Sequence, residues 1–236
     1  MQRVKFSDLG MMDYQLAWNQ QESLLQQNVL LKSEARKSNA LVDVNKVATQ
    51  HSLLFCEHPP VYTLGKSGSL DNLLIDAAGL QEKGIQFVQT NRGGDITFHG
   101  PQQIVGYPIL DLEKMYTDIG RYLRNLEEAV ILTMAEYGLV GERSSGETGV
   151  WLDAGVKGQE RKICAIGVRC SRWITMHGFA FNINTDLDYF KYIIPCGIQD
   201  KQVTSLQQEV GYQLNFEEVK DKLKKNFESV FEVELF

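Results

Sequence analysis

The sequence predicts an α/β (α+β) fold, and three features of its patterning carry that reading. Short β-prone runs are cut by Pro, Gly and Asn into segments of strand length. Long stretches with apolar residues at helical spacing interrupt them. A hydrophobic content of 43% over 236 residues suits one sizeable core. Residues 1–236 are read as one domain, because the polar stretches 38–50 and 154–161 are loop candidates, too short and too mixed for an interdomain linker.

Residues 13–37 place Tyr14, Ala17, Trp18, Leu24, Leu25, Val29 and Leu30 on a loose helical stripe with a polar reverse face. Strand-like runs follow at 52–56, 61–64, 85–89, 96–99 and 104–110. Between 118 and 137, Ile119, Leu123, Leu126, Val130, Met134 and Tyr137 fit one apolar helical face, and Gly138 supplies a stop. Residues 149–152, 162–168 and 178–184 read as a second group of strands, with Cys164, Ile166 and Val168 pointing to one face. Asn215, followed by Glu218, caps a closing helix whose stripe is Val219, Leu223, Phe227 and Phe231.

Composition excludes several classes. A net charge of -6 argues against binding nucleic acid through clustered basic residues. The longest apolar run, AVILTMA, falls far short of the roughly 20 residues that cross a bilayer, so no membrane insertion is expected. No leader is visible in MQRVKFSDLGMM, which places the protein in the cytoplasm. The four cysteines form no CxxC pair and no zinc frame, so neither disulfides nor a metal site is expected.

Among these cysteines, Cys196 stands out in IIPCGI, where Pro195 fixes its own φ and Gly197 permits close approach. A nucleophilic thiol presented on a rigid turn fits that setting, and so does a small buried hydrophobe. Cys56, Cys164 and Cys170 read as packing residues. The segment RGGDITFHGP (92–101) lacks P-loop spacing. It is either a tight hairpin or a set of exposed backbone N–H groups that meets a carbonyl. His99 and His177 each precede glycine and read as structural histidines, with a base near neutral pH as the alternative. Lys162 reads as a strand-edge charge unless it reaches Cys196. In that case its ammonium would stabilise a thiolate, and desolvation would favour the neutral amine that accepts a proton.

Taken in order, EHPPVYTLG (57–65), RGGDITFHGP (92–101), KICAIG (162–167), HGFAFNI (177–183) and PCGI (195–198) resemble the octanoyl-carrier-protein:protein octanoyltransferases of lipoate biosynthesis. The resemblance covers most of the chain. It implies a mixed sheet packed with helices, similar to the catalytic domains of lipoate and biotin protein ligases. It also implies an acyltransferase in which Cys196 takes an octanoyl group from octanoyl-acyl carrier protein as a thioester. The acceptors would be the lysines of lipoyl domains, on the E2 subunits of 2-oxoacid dehydrogenases and on the glycine cleavage H protein. Lys162 would activate the thiol and act as general acid and base, with no cofactor and no metal.

Carried over by motif, Arg92, Gly93, Gly94, Asp95, Ile96, Thr97, Phe98 and His99 would line the substrate site. Ala165, Ile166 and Gly167 would join them, with Gly178, Phe179 and Ala180. An apolar tunnel there would contribute about 0.8 kcal/mol per buried methylene. The chain departs from the family at Gln102, where glycine is usual; if the position needs a positive φ, the loop is strained or rerouted.

Two rivals differ in chemistry. An ATP-dependent lipoate ligase would need an adenylate-binding lysine and no thiol, which PCGI disfavours. A noncatalytic module would hold carrier proteins or lipoyl domains through the same surfaces. Arg92, Arg121, Arg124, Arg143, Arg169 and Arg172 are candidate contacts to an acidic carrier protein, and a monomer is the default.

Overall fold

The computed structural model describes residues 1–38, 43, 46–195 and 202–236. The chain runs β1 (Gln2–Met11), α1 (Tyr14–Ser38), β2 (His51–Glu57), β3 (Val61–Leu64), α2 (Ala77–Glu82), β4 (Gln86–Gln89), β5 (Ile96–His99) and β6 (Gln103–Ile109). It continues through α3 (Ile119–Ala135), β7 (Val150–Leu152), β8 (Arg161–Ser171), β9 (Ile174–Asn182), β10 (Gln202–Val203), α4 (Leu206–Val210), α5 (Phe216–Phe231) and β11 (Val233–Leu235). Among the described residues, eight strands form one mixed sheet in the order β10-β8-β9-β6-β2-β1-β11, with β7 also on β8. A second sheet has the order β4-β3-β5.

The alternation of side chains along a strand explains how the large sheet is covered on both faces. In β2, Leu53 and Phe55 belong to one core, with Leu126 and Val130 of α3 and Leu223 and Phe227 of α5. Their neighbours Leu54 and Cys56 belong to another, with Ala17 and Leu25 of α1. Burial on both faces is why β2 reads as a continuous apolar run rather than an alternating one. The predicted face of Cys164, Ile166 and Val168 does pack into the first core.

Side-chain caps start both long helices of the first core, one of them the cap expected at Asn215. Asp118 caps α3 by accepting from the Arg121 N–H at 2.9 Å. Asn215 caps α5 by accepting from the N–H groups of Glu217 and Glu218 at 3.1 and 3.2 Å. All four predicted stripe residues of α5 are buried. No helix of the described residues is long and apolar enough to cross a membrane.

Three features depart from the sequence reading. β1 was not anticipated, because Val4 alone of its residues is fully buried and the strand carries no alternating pattern. β8 and β9 extend into an 11- and a 9-residue hairpin through polar residues. Their turn places Arg172 and Trp173 at φ 50° and 66°, the conformation that two-residue hairpin turns require and glycine usually fills. Lys32 of α1 braces it, its buried Nζ donating to the Arg172 carbonyl at 2.8 Å and to Asp111 Oδ1 at 2.7 Å. Finally, the glycine-rich segment at 92 is no hairpin: β4 and β5 each pair with β3, in parallel and antiparallel fashion respectively.

Gln102 adopts φ 61°, so the position does take the left-handed conformation that glycine would accept freely. The loop holds that conformation with bonds at the main-chain N–H and carbonyl of Gln102 and at its side-chain oxygen. The Gln102 N–H donates to Glu57 Oε2 at 2.5 Å. Its carbonyl accepts from the Asn184 N–H at 3.1 Å and from Thr185 Oγ1 at 3.0 Å. Its side-chain Oε1 accepts from Asn184 Nδ2 at 2.8 Å. Gln102→Gly removes the left-handed cost but loses one hydrogen bond of about 1 kcal/mol and gains unfolded-state entropy. Its unfolding free energy is expected within about 1 kcal/mol of wild type, whereas Gln102→Val, β-branched at positive φ, is expected to lose about 2 kcal/mol. Urea unfolding of both variants checks the pair, and equal stabilities would contradict the account.

Candidate functional site

A cavity of about 460 Å³ lies where the glycine-rich loop after β4 meets β8 and β9. The loop can approach because β8 offers no side chain at Gly167, where a Cβ would sit 2.8 Å from the Gly93 carbonyl oxygen. The Gly93 N–H donates to the Val168 carbonyl at 2.9 Å and closes the contact. Across the hairpin, Gly178 faces Gly167, and a Cβ on it would lie 2.1 Å from the Gly106 carbonyl oxygen. Glycine at both positions is therefore a packing requirement of the cavity wall.

The structure brings most sequence-predicted site residues to this cavity. Arg92, Gly93, Gly94, Asp95, Ile96, Thr97 and His99 line it, as do Ala165, Ile166, Gly167, Gly178, Phe179 and Ala180. Phe98 does not: it packs on the other face of β5, stacked on Tyr189 at 4.6 Å. Lys162 lines the cavity too, paired across strands with Val203 of β10 and Trp151 of β7. It is 8% exposed, and its Nζ lies 4.5 Å from the Trp151 ring centroid. Cys196 lies outside the described residues, but its neighbour Pro195 lines the cavity, as does Val203 beyond it.

Arg92 begins a chain of hydrogen bonds that runs across the site in one donor direction. Its Nη2 donates to Thr63 Oγ1 at 2.9 Å and to the Thr63 carbonyl at 2.6 Å. Thr63 Oγ1 in turn lies 3.3 Å from His99 Nε2, and His99 Nδ1 donates to Gln103 Oε1 at 2.9 Å. Gln103 Nε2 donates to Asn182 Oδ1 at 2.8 Å, and Asn182 Nδ2 to the Thr204 carbonyl at 2.9 Å. The Thr204 N–H then donates to the carbonyl of Lys162 at 2.9 Å. The tautomer of His99 follows from this chain, because Gln103 Oε1 can only accept. A single network thus fixes the loop, β5, β6, β9 and the backbone of Lys162.

Aromatic and imidazole rings form another part of the wall. Tyr14 stacks on His99 at 5.8 Å and meets His58 edge-on at 5.2 Å. His58 Nδ1 donates to the Met12 carbonyl at 2.7 Å, so its Nε2 accepts from the Tyr107 hydroxyl at 2.7 Å. His177, at φ 58°, holds Asn91 Oδ1 2.7 Å from its Nε2. Burial lowers all these imidazoles: His58 to about 4, His177 to about 3 with help from Arg92 and Arg169, and His99 well below its ordinary value. Burial thus favours the neutral imidazoles near pH 7; His99 and His177 line the cavity, while His58 contacts Tyr14 and Tyr107 of its wall.

The three described cysteines sit elsewhere. Cys56 and Cys164 are buried and Cys170 is exposed; none lines the cavity. Burial raises the pKa of each thiol, which disfavours the nucleophilic thiolate.

Sequence reasoning missed Tyr14, Gln103, Tyr107 and Asn182 as site residues, although each lines the cavity. Tyr14 reads in the sequence only as part of the helical stripe of α1. Asn182 carries a usable signal, being an amide inside the 178–184 run that otherwise reads as strand, and Gln103 directly precedes the run at 104–110. Of the arginines considered for carrier docking, Arg92 is buried. Arg124 and Arg143 pair with Glu127, and Arg169 with Glu22.

Comparison with known proteins agrees with this architecture. The lipoyl protein ligase A/B catalytic domain family matches residues 13–228. An octanoyltransferase of Christiangramia forsetii is 56% identical over 98% of this chain and 97% of its own length. That of Flavobacterium johnsoniae is 55% identical over 99% and 98%. Among solved structures, a putative lipoate protein ligase from T. acidophilum superposes with a TM-score of 0.68, covering 100% of this chain and 88% of that one. Its 15% identity speaks for the fold alone. Since the family model spans nearly the whole chain and relatives above half identity match it end to end, the chain belongs to the lipoyl protein ligase A/B catalytic domain family and, within it, to the octanoyltransferases, which are acyltransferase enzymes.

Proposed function

We propose that the protein carries an octanoyl group from octanoyl-acyl carrier protein to the lysine of a lipoyl domain, through a thioester on Cys196. The observation that supports this most directly is that Lys162 and Pro195, the residue before Cys196, line the same cavity as the glycine-rich loop. In the first step the Cys196 thiol loses its proton to the Lys162 amine and attacks the thioester carbonyl. A new C–S bond forms, the bond to the carrier's sulfur breaks, and the carrier thiolate takes a proton. In the second step the acceptor's ε-amine attacks the Cys196 thioester. The amide C–N bond forms, the C–S bond breaks, and the amine proton returns to the Cys196 sulfur by way of Lys162.

Exchange of one thioester for another is nearly balanced, and conversion to an amide is downhill, so neither step calls for ATP or a metal. The apolar wall at Ile166, Val168, Phe179 and Ala180 suits a saturated chain, and each buried methylene would contribute about 0.8 kcal/mol. Lipoyl domains of 2-oxoacid dehydrogenase E2 subunits and the glycine cleavage H protein are the proposed acceptors.

Intact-protein mass spectrometry tests the intermediate. Mixed with octanoyl-acyl carrier protein and no ATP, wild type is expected to gain one octanoyl group that hydroxylamine removes. Cys196→Ala is expected to gain none. Octanoylation that appears only with ATP and free octanoate would replace this reading with a ligase.

A further inference from the structure

The backbone leading to Cys196 is held from one side by the segment that follows β3. A 3-10 turn at Leu70–Asn72 and the residues after it lie against the chain at 192–194. The Leu74 N–H donates to the Tyr192 carbonyl at 2.9 Å, Leu73 bridges Ile193, and the Ile194 N–H donates to the Asn72 carbonyl at 2.8 Å. Asn72 is thus bonded through its main chain to the second residue before Cys196.

Its side chain faces the other way, into the glycine-rich loop. Asn72 Nδ2 donates to Asp95 Oδ2 at 2.5 Å, while Asp95 Oδ1 accepts from the Ile96 N–H at 2.7 Å. Asp95 lines the cavity, and its carbonyl accepts from the Gly65 N–H at 3.2 Å. Both carboxylate oxygens are therefore engaged in holding the loop and Asn72. A charge-assisted bond of this kind is stronger than a neutral one and fixes direction. The 3-10 turn at Leu187–Tyr192 has a second anchor, the Tyr62 hydroxyl donating to the Tyr189 carbonyl at 2.6 Å. Loss of the Asn72–Asp95 bond would leave the main-chain contacts at 192–194 in place and remove only the tie between the glycine-rich loop and the backbone at Ile194.

We propose that Asn72 and Asp95 are positioning residues, a side-chain bridge that ties the substrate loop to the backbone leading into Cys196 and sets where the thiol meets the acyl carbonyl. The inference rests on the reading of Cys196 as the nucleophile. Misplacement of a reacting group by about 1 Å costs on the order of 100-fold in rate, so a bridge of this kind acts on the chemical step more than on binding.

The test measures single-turnover formation of the Cys196 octanoyl thioester from octanoyl-acyl carrier protein, with thermal unfolding in parallel. Asn72→Asp, which opposes two carboxylates, is expected to slow acylation by about 10- to 100-fold, with the donor concentration for half-maximal rate changed by less than about 3-fold. The reversed pair, Asn72→Asp with Asp95→Asn, restores a donor on one side and an acceptor on the other. It leaves Oδ1 of the new residue to accept from Ile96, and it is expected to recover the rate to within about 3-fold of wild type. Should Asn72→Asp fail to fold, Asn72→Ala removes the donor without adding charge and is expected to slow acylation by about 5- to 20-fold. Single variants at wild-type rate, or a reversed pair no faster than the singles, would overturn the bridge. A wild-type protein that forms no adduct on Cys196 would instead remove the nucleophile on which the inference rests.

Discussion

Cys196→Ala is expected to reduce octanoyl transfer to background, a loss on the order of 10⁴-fold or more, as removal of a covalent nucleophile does. Lys162→Met is expected to slow both half-reactions by about 10² to 10⁴-fold, the range that a positioned proton-transfer group supplies. Methionine retains the apolar length that lies against Trp151, so packing is largely kept and the loss isolates the amine. Lys162→Arg should not rescue the rate, because a guanidinium stays protonated and cannot accept the thiol proton. Rapid-quench measurement of thioester formation, and separately of its aminolysis by a lipoyl domain, reads the two steps. A Lys162→Met protein within about 5-fold of wild type in both steps would remove Lys162 from the mechanism.

Acidification is expected to destabilise the fold steeply between pH 7 and pH 5. All four histidines are buried. Burial depresses each: His51 and His58 to about 4, His177 to about 3, and His99 well below its usual value. The unfolded chain takes up these protons near pH 6.5, while the folded chain does not. Stability that each neutral imidazole contributes is thus fully present above pH 6.5 and falls as the pH drops below it, until the folded value is reached. At pH 5 the cost is about 2 kcal/mol for each of His51, His58 and His177, from 1.36 kcal/mol for each pH unit below 6.5. The sum is comparable to the whole stability of an ordinary domain. Urea unfolding at the two pH values should show a decrease of several kcal/mol, and His51→Gln should shrink it by about one histidine's share. A change under about 1 kcal/mol would mean that the imidazoles gain water or protons in the folded state.

Local periodicity made much of the fold legible. The stripe of Val219, Leu223, Phe227 and Phe231 is a helix because one turn of backbone repeats every 3.6 residues, and Asn215 announces its start with a side chain that reaches only its own next turn. The five strand runs between 52 and 110 were legible for the same reason, since apolar residues bounded by turn formers describe a segment without reference to its partners. Motif order further pointed to the loop at 92, to Lys162 and to the octanoyltransferase family.

What the sequence alone determined, then, was which segments form elements and which residue types are available for chemistry. Only tertiary structure decided their company. β1 owes its place to pairing with β2 and β11, as its own pattern carries little. The Arg172–Trp173 turn is braced by Lys32, 140 residues away in the chain. Lys162 looked like an exposed strand edge until Trp151 and β10 covered it. Phe98, inside a motif of cavity residues, points out of the cavity because neighbouring residues of a strand face opposite sides. The physical reason is range: propensity and capping act within one or two turns of chain, whereas burial, imidazole neutrality and the Asn72–Asp95 bond depend on groups that the topology alone brings together.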